Sequence, residues 1–407
     1  MKRILMFKTS MCCEDSVVGG LVQLEFHVDV LTGSVRDYER DSEIQKGFLS
    51  YFQQCYVNGI TCDAVFSIDY YPVISRICMT MQIPYISWIV DCPLNTLFSK
   101  TVINDVNWIF TFDRNQQEWL KSMGVKHSYH MALATDIHQW DSIQFEENDY
   151  PVYSSDVSFL GNLYNDQKSN HYLAVQTVSP YLHGFYEGVM EAQLGIYGAS
   201  IIGEALTKTV VDESKGFIQF DLGMDYYENY HTLLADMLYT EVSHRERIQI
   251  LSMLGKSFLL KLYTSSDCSE LCGIPIEYGG YVDYLTQMPK VFSLSKININ
   301  ITSKSIKTGI PLRVLDILGA GGFLITNYQS EIAELFTDGK ELVMYESMED
   351  LKEKVSYYLE HEEERKRIAA AGYERVKQEF SYEKKLAEIM GVVFGHDGID
   401  NERKWEA

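Results

Sequence analysis

Short apolar runs alternate with helix-length amphipathic segments along the first 150 residues. Ile44, Phe48, Phe52 and Cys55 recur at helical spacing, which predicts a helix that ends near Asn58 and Gly59. The runs typical of buried strands lie at residues 3–7, 28–31, 64–68, 85–90 and 108–112. This alternation predicts a parallel sheet with helices on both faces.

A polar, acidic stretch at residues 143–156 interrupts this rhythm, and an apolar run at 157–161 restarts it. Residues 170–260 read as largely helical, and further strands are predicted at 258–263, 297–301, 323–326 and 341–345. We therefore expect two α/β lobes with a ligand between them. The predicted boundaries are an N-terminal lobe at 1–155, a C-terminal lobe at 156–385 with a helical insertion around 170–260, and a helical tail at 386–407.

Charge and composition exclude several classes of function. A net charge of −22 disfavours a protein that neutralises nucleic-acid phosphates or anionic lipid. The N-terminus lacks the apolar core of a signal peptide, and no run reaches the roughly 18 apolar residues of a membrane span. Eight scattered cysteines are typical of reduced, mostly buried thiols. We expect a cytoplasmic protein with no integral membrane segment and no nucleic-acid partner.

The segment TSKSIKTGIPLRVLDILGAGGFLIT, residues 302–326, places a polar turn between a predicted strand and a helix. Gly309 lets backbone amides approach a ligand, and Pro311 suits the first turn of a helix, whose free N–H groups favour phosphate. Lys307 and Arg313 add positive charge, and Asp316 could accept hydrogen bonds from sugar hydroxyls. The spacing alone favours equally an ordinary connection in which Arg313 and Asp316 form a surface ion pair.

Residues 296–326 and 334–376 resemble the C-terminal lobe of the CgeB-like glycosyltransferases, a family of GT-B fold named for a spore-maturation protein. DAVFSIDYYPVISRIC and IPYISWIVDCPLNTLFS are similar to the N-terminal lobe of that family. The resemblance implies two Rossmann-like lobes, with parallel sheets that face an interdomain cleft. It also implies transfer of a sugar from a UDP- or GDP-type donor to a protein or to a cell-envelope or spore-surface glycan.

The same resemblance implies a set of donor-binding residues. Retaining GT-B enzymes often carry two glutamates separated by seven residues. Asp316 takes the second position, as a ribose ligand, but Thr308 takes the first, so a retaining mechanism is not implied. The stretch around the turn that this resemblance assigns to the donor comprises Ser305, Lys307, Thr308, Gly309, Ile310, Pro311, Arg313 and Asp316.

Three other stretches resemble donor-facing parts of related enzymes. Gly19 and Gly20 resemble a glycine loop that faces the diphosphate and are expected to precede or open the first helix, although a mere turn is as good an interpretation. Residues 279–288 resemble the turn against the nucleobase, where Tyr281 could stack. In residues 158–168, Asn162 stands where related enzymes have arginine, which leaves Lys168 as a phosphate ligand or as a solvated surface lysine.

Two carboxylates are candidates for the base of an inverting transfer. Asp69 and Asp91 each follow a predicted strand at its carboxyl end, where either could equally form an Asx turn or a helix cap. Cys268 and Cys272 have no histidine nearby, so we expect metal-independent transfer without a cofactor. The alternatives are an inactive nucleotide-sugar-binding or surface-assembly protein and a GT-B-type nucleotide-sugar epimerase.

Overall fold

The structure is a computed structural model that describes residues 1–175, 177–220, 223–227 and 229–395. The chain divides into two compact units. The first comprises Met1–Phe112, Gln116–Ala134 and the described chain from Gln378 onward, and the second comprises Asp113–Asn115 and Thr135–Lys377. The domain boundaries predicted from the sequence stay a prediction. Residues 396–407 of the predicted helical tail lie outside the described residues.

The first unit is built from alternating strands and helices. In chain order these are β1 (Arg3–Lys8), α1 (Glu14–Gln23), β2 (His27–Thr32), α2 (Ser42–Val57), β3 (Ala64–Ile68), α3 (Pro72–Met81), β4 (Tyr85–Ile89), β5 (Asn107–Thr111), α4 (Arg114–Ser122) and β6 (Ser128–His130). The strands pair in parallel in the order β2-β1-β3-β4-β5-β6. Strand β3 is buried at every position, as expected where helices cover both faces of a sheet.

The strand order of this sheet reverses between β1 and β3, because β2 lies on one side of β1 and the later strands lie on the other. In open parallel sheets, ligands gather outside the carboxyl ends of the strands at such a reversal. Thr9 follows β1 and Asp69 follows β3. The topology therefore places Asp69 at the expected ligand position of the first unit.

The remaining elements follow in chain order. They are α5 (Ile137–Asp141), α6 (Asp149–Tyr153), β7 (Ser155–Leu160), α7 (Pro180–Leu194), α8 (Ile202–Ala205), α9 (Lys208–Ser214), α10 (Tyr230–Ser257), β8 (Leu260–Tyr263), β9 (Ile276–Tyr278), α11 (Met288–Leu294), β10 (Ser295–Asn300), α12 (Leu312–Gly319), β11 (Leu324–Asn327), α13 (Ser330–Leu335), β12 (Val343–Tyr345), α14 (Met348–Glu360), α15 (Glu362–Glu379) and α16 (Tyr382–Gly395). Helix α16 belongs to the first unit. Short 3₁₀ helices lie at Asn95–Phe98, Lys100–Ile103, His171–Ala174 and Ser269–Leu271.

The second unit carries a parallel sheet in the order β12-β11-β10-β7-β8-β9. Its strand order reverses between β7 and β10, so the ligand position expected for this sheet lies where these two strands end. Two loops meet that description. We name residues 161–165, after β7, the first loop, and residues 301–310, after β10, the second loop.

Two hydrophobic clusters occupy the second unit. One lies around the sheet and includes Phe159, Ile250 and Leu254. The other is formed by α7, α8, α9 and the N-terminal half of α10, and includes Tyr186 and Leu238. Helix α10 thus contributes side chains to both clusters, which explains why its buried residues lie on all sides instead of forming one stripe.

The α/β class and the two parallel sheets predicted from the sequence are confirmed. Ser347 caps α14, because its hydroxyl accepts a hydrogen bond from the N–H of Asp350 at 3.0 Å. Pro311 takes the N-cap position of α12, one residue before the helix begins. Across the described residues, no helix combines the length and the apolarity that a membrane span requires.

Candidate functional site

The second loop wraps around a carboxylate from the same unit. The backbone N–H groups of Lys307, Thr308 and Gly309 donate to Oδ2 of Asp113 at 2.8, 2.9 and 3.2 Å. The other oxygen of Asp113 accepts from the N–H of Asn115 at 3.0 Å, and the residue is fully buried. Consecutive amides that converge on one oxygen form an anion-binding nest. The backbone predicted to bind phosphate therefore binds an anion, and in this structure that anion is Asp113.

Helix α12 carries Arg313 and Asp316 on its first turns. The guanidinium of Arg313 lies 2.6 Å from Sδ of Met288 and 5.5 Å from the ring centre of Phe292, both on α11. Its Nη1 lies 3.9 Å from Oδ2 of Asp316. The ion pair considered in the sequence analysis is thus present, although Asp316 is buried.

Asp316 lies in a network of hydroxyl groups. It is 1% exposed, and its Oδ1 accepts hydrogen bonds from Thr135 Oγ1 at 2.9 Å and from Tyr284 OH at 3.1 Å. Burial raises its pKa to about 6, against the opposing effects of Arg313 and the two hydroxyls. A carboxylate that accepts from hydroxyl groups is chemically suited to ribose, and here protein hydroxyls take those positions.

Lys307 and Ser305 contact the helical insertion. Nζ of Lys307 donates to the carbonyl of Lys304 at 2.8 Å and lies over the ring of Tyr239 on α10. The hydroxyl of Ser305 donates to Asp236 on the same helix at 2.5 Å. Lys307 therefore contacts α10 and Arg313 contacts α11, so the two cations predicted for one diphosphate reach different elements in this structure. Ile310 is buried.

The remaining predicted donor residues of this unit lie on loops at the carboxyl edge. Lys168 is exposed in the segment that follows the first loop, where its N–H donates to Asp166 at 2.9 Å. Tyr281 follows β9 and is 74% exposed, and the preceding Gly280 has a φ of 69°. An exposed ring beside a left-handed glycine turn is free to stack on a planar ligand. The exposure of Lys168 also agrees with the surface-lysine interpretation.

The predicted position of Gly19 and Gly20 is wrong. Both lie inside α1, which begins at Glu14, so neither opens the helix or presents a free N–H group. A Cβ at position 20 would lie 2.6 Å from Leu386 Cδ1, because α1 packs closely on α16 there. Glycine permits a turn, but it also permits close packing of two helices, and Gly20 serves the packing of α1 on α16. The turn after β1 is formed instead by residues 9–13.

This placement makes a stability prediction. A Cβ at Gly19 would meet nothing within 4 Å, so Gly19→Ala should raise the free energy of unfolding by roughly 0.5 to 1 kcal/mol through helix propensity. Gly20→Ala should not gain this amount, because the methyl group forces Leu386 to move. Denaturant unfolding measures both effects. A Gly19→Ala protein that loses nucleotide affinity would instead restore the donor-loop interpretation.

Asp69 reaches across the first sheet from the end of β3 to the end of β4. Its Oδ1 accepts from the N–H of Val90 at 2.9 Å, 21 residues along the chain, and the N-cap of α3 is Tyr71. These contacts exclude an Asx turn or a helix cap as the role of Asp69. The residue is 5% exposed and has a φ of 58°. Burial, followed by the negative charge of Asp91, raises its pKa to about 7.

A second carboxylate occupies the turn after β1. Glu14 is 1% exposed and accepts hydrogen bonds from the N–H groups of Thr9, Ser10 and Met11 at 2.7, 2.8 and 3.0 Å. Its charge also favours the protonated form of Asp69. Asp91 is exposed in the loop after β4. Three carboxyl groups, those of Glu14, Asp69 and Asp91, therefore lie around the reversal point of the first sheet. Of the three, Asp69 has a pKa near neutrality.

Two of these groups were missed by sequence reasoning. Asp113 directly follows the predicted strand at 108–112, so the rule that selected Asp69 and Asp91 could have selected it too. Glu14 gives no such signal, because an acidic residue in the first turn of a helix is commonplace. Among the described residues, no group of three or more His, Cys, Asp or Glu side chains is placed to hold a metal ion.

Comparison with known proteins gives a family match over part of the chain. Residues 249–391 match the family described as Glycosyl transferase-like. This segment runs from the end of α10 through most of α16 and includes the second loop and α12. No curated protein is significantly similar in sequence to this chain.

Solved structures share the fold at low sequence identity. HepE of Anabaena, solved with UDP and glucose, has a TM-score of 0.53 at 10% identity, and the match covers 96% of this chain and 100% of HepE. Sucrose-phosphate synthase of Thermosynechococcus elongatus has a TM-score of 0.55 at 9% identity, covering 97% and 99%. A glycosyltransferase of Rickettsia africae has a TM-score of 0.53 at 10% identity, covering 96% and 97%. The predicted GT-B fold of two Rossmann-like lobes is confirmed.

Proposed function

We propose that this chain is a glycosyltransferase that moves a sugar from a UDP- or GDP-type nucleotide sugar to a protein or to a cell-envelope or spore-surface glycan. The observation that carries the proposal is the match of residues 249–391 to the Glycosyl transferase-like family, since this segment contains α12 and the second loop. The UDP bound in HepE supports a uridine nucleotide as the first donor to test. The CgeB-like family is the subfamily proposed from the sequence resemblance.

The donor is proposed to bind at the reversal point of the second sheet. Its diphosphate would lie against the second loop and the start of α12, with Arg313 as the cationic ligand and Asp316 as the ribose ligand. Binding in this way requires that ribose hydroxyls replace the hydroxyl of Thr135 or Tyr284 as hydrogen-bond donors to Asp316. It also requires that phosphate oxygens accept hydrogen bonds from the amides that now donate to Asp113. Tyr281 and Lys168 complete the proposed donor set from the neighbouring loops.

Asp69 is proposed as the general base. In an inverting transfer, the acceptor oxygen forms a bond to the anomeric carbon as the bond from that carbon to the phosphate oxygen breaks. The nucleoside diphosphate leaves with the electron pair, and the carboxylate of Asp69 takes the proton of the acceptor hydroxyl. A pKa near 7 suits this step, because a base works best when its pKa lies close to the working pH. Asp91 is the alternative base.

A binding protein without turnover is the second candidate function, alongside a nucleotide-sugar epimerase. Two observations favour loss of turnover: Thr308 stands where a glutamate is expected, and Asp113 occupies the amides of the second loop. Incubation with donor alone detects hydrolysis, and incubation with donor plus acceptor detects transfer. Analysis of the stereochemistry of the donor sugar detects epimerisation. Proposed metal independence predicts that EDTA leaves turnover unchanged.

A thermal-shift screen of UDP- and GDP-sugars tests donor binding directly. A ligand that binds only the folded protein at 100 times its Kd adds about 2.7 kcal/mol of stability, so one nucleotide class should raise Tm by several degrees. Arg313→Ala should weaken nucleotide-diphosphate binding about 10- to 100-fold through the loss of a charge-assisted hydrogen bond.

Lys352→Ala is the matched control for charge, because Lys352 is an exposed cation of the second unit that lies on α14, outside the proposed donor set. Equal effects of the two variants would mean that the loss reflects general electrostatics instead of a contact by Arg313. The absence of a shift with every nucleotide sugar, together with no donor hydrolysis, would reject the proposed function.

A further inference from the structure

The middle of α10 buries a run of polar side chains between its two hydrophobic clusters. Ser243, His244, Glu246 and Arg247 are 0%, 7%, 2% and 7% exposed. Buried polar groups are costly unless they form hydrogen bonds or ion pairs. Such a run in the middle of a helix therefore needs partners from other elements.

The partners lie on the two loops at the reversal point of the second sheet. On the first loop, Nη1 of Arg247 donates to the carbonyl of Asn162, and Nδ1 of His244 lies 2.8 Å from the carbonyl of Leu163. On the second loop, Nη2 of Arg247 donates to the carbonyl of Ile301 at 2.7 Å. Arg247 therefore joins both loops through one planar group.

Two further contacts hold the second loop to the same stretch of helix. The hydroxyl of Ser243 accepts from the N–H of Lys304 at 2.8 Å, and Nζ of Lys304 lies 2.9 Å from Glu246. Of these four side chains, only Arg247 bonds to both loops. Helix α10 thus contributes to the positioning of both loops, in addition to the contacts of the second loop with Asp113.

The charge of Arg247 is not neutralised by a carboxylate. Within the described part of the chain, no Asp or Glu lies within 4.0 Å of its guanidinium, and Nε has no hydrogen-bond partner. The rings of Tyr164 and Phe159 lie 4.4 and 5.6 Å away. The positive charge of Lys304, in contrast, is paired with Glu246. A buried, unpaired positive charge favours an anion nearby, and it lies under the place where this sheet is expected to hold one.

We propose that residues 243–247 form a clamp that fixes both loops, with Arg247 as the residue that positions them for the anionic part of the donor. The donor part of this inference rests on the proposed function. Arg247 acts through the two carbonyls and through its charge, without touching the donor. It also supplies a guanidinium beside Asn162, the position at which related enzymes were expected to have arginine.

Hydrogen exchange without ligand tests the clamp independently of any reaction. Peptides covering residues 161–165 and 301–305 should exchange at least tenfold faster in Arg247→Gln than in the unchanged protein, and in both loops together. Arg247→Lys should show a smaller increase, because one carbonyl bond can be kept. Unchanged exchange, or faster exchange in one loop alone, would overturn the clamp.

Arg245→Gln is the matched control. Arg245 lies two residues earlier on the same helix and is ion-paired with the partly exposed Glu187 and the buried Glu241. Its replacement removes a guanidinium from α10 without removing a bond to either loop, so exchange of both loops should stay unchanged. An equal acceleration in this variant would show that α10 is merely loosened as a whole.

UDP titration and steady-state kinetics test the donor part. Arg247→Gln should raise the Kd for UDP at least tenfold and raise KM more than it lowers kcat, and Arg247→Lys should restore part of the affinity. A merely structural residue would lower Tm and leave the Kd of the folded fraction unchanged, which would overturn the donor part. If the unchanged protein binds no nucleotide, the proposed function and this donor part fall, and hydrogen exchange still decides the clamp.

Discussion

Asp69→Asn should lower turnover by about 10² to 10⁴ while nucleotide affinity stays nearly unchanged, because the loss of a general base costs this much in rate. Asparagine tolerates the left-handed backbone at this position and can still accept the hydrogen bond from Val90, so the fold should persist. In the unchanged protein, the rate should rise with pH through about 7 as Asp69 loses its proton. Steady-state kinetics and nucleotide titration measure both effects.

Asp91→Asn is the matched control for this experiment. If Asp91→Asn is inactive while Asp69→Asn turns over normally, the roles of the two carboxylates are exchanged. If both variants stay active, neither Asp69 nor Asp91 acts as the base. A front-face retaining mechanism assisted by the donor phosphate would then be the better account.

The same substitution has an expected effect on stability. Because folding raises the pKa of Asp69, ionisation of this carboxyl lowers the stability of the folded protein. This cost in stability is absent below the unfolded pKa of about 4, grows as pH rises from 4 to 7, and is constant above 7. By linkage this cost is at most about 4 kcal/mol, since each pKa unit corresponds to about 1.4 kcal/mol. Asp69→Asn should therefore be more stable than the unchanged protein above pH 7 and not below pH 4. Thermal unfolding at pH 4 and pH 8 measures the difference.

Asp113→Ala should lower the free energy of unfolding by about 3 to 5 kcal/mol, since it leaves several buried amides without their acceptor. The three amides of the second loop and the N–H of Asn115 all depend on this carboxylate. Asp166→Ala is the control, because Asp166 also accepts from backbone amides but at an exposed turn, so its loss should cost only about 1 kcal/mol. Thermal and denaturant unfolding compare the two variants.

Added pyrophosphate turns this variant into a test of the nest itself. If the amides bind phosphate once Asp113 is removed, pyrophosphate should stabilise Asp113→Ala more than it stabilises the unchanged protein. Equal stabilisation of both proteins would show that the second loop does not bind phosphate. A loss of less than 1 kcal/mol on removal of Asp113 would show that water satisfies the amides.

Most strands were predictable, because each is a short apolar run that can be recognised without knowing its neighbours, whereas the short strands β6 and β9 were not predicted. Strand β3 is apolar except for Ser67 and is buried along its length, so five residues were enough to place it. The position of Asp69 followed from the same signal, since the carboxyl end of a predicted strand is a place in the sequence. The α/β class could be predicted from the order of such strands and helices alone, because it does not depend on particular side-chain contacts.

The clamp was not predictable, because its contacts join residues far apart in the chain. Arg247 bonds to Asn162, 85 residues away, and to Ile301, 54 residues away. Since α10 is buried on all sides, its sequence also lacks the one-sided pattern that would separate a core-facing stripe from functional side chains. The prediction for Gly20 failed for a related reason, because its packing partner Leu386 lies on α16, more than 350 residues later.

Helix α10 also limits how this chain could be recombined. It spans 28 residues, roughly 42 Å at 1.5 Å per residue, and its N-terminal half completes the hydrophobic cluster of α7, α8 and α9. A chimera joined at Asn229 would separate that cluster from the helix residues that close it, including Leu238 and Val242. A junction after Val242 would keep the cluster whole and leave the clamp with the sheet. The exchangeable module is therefore the three inserted helices together with the first half of α10.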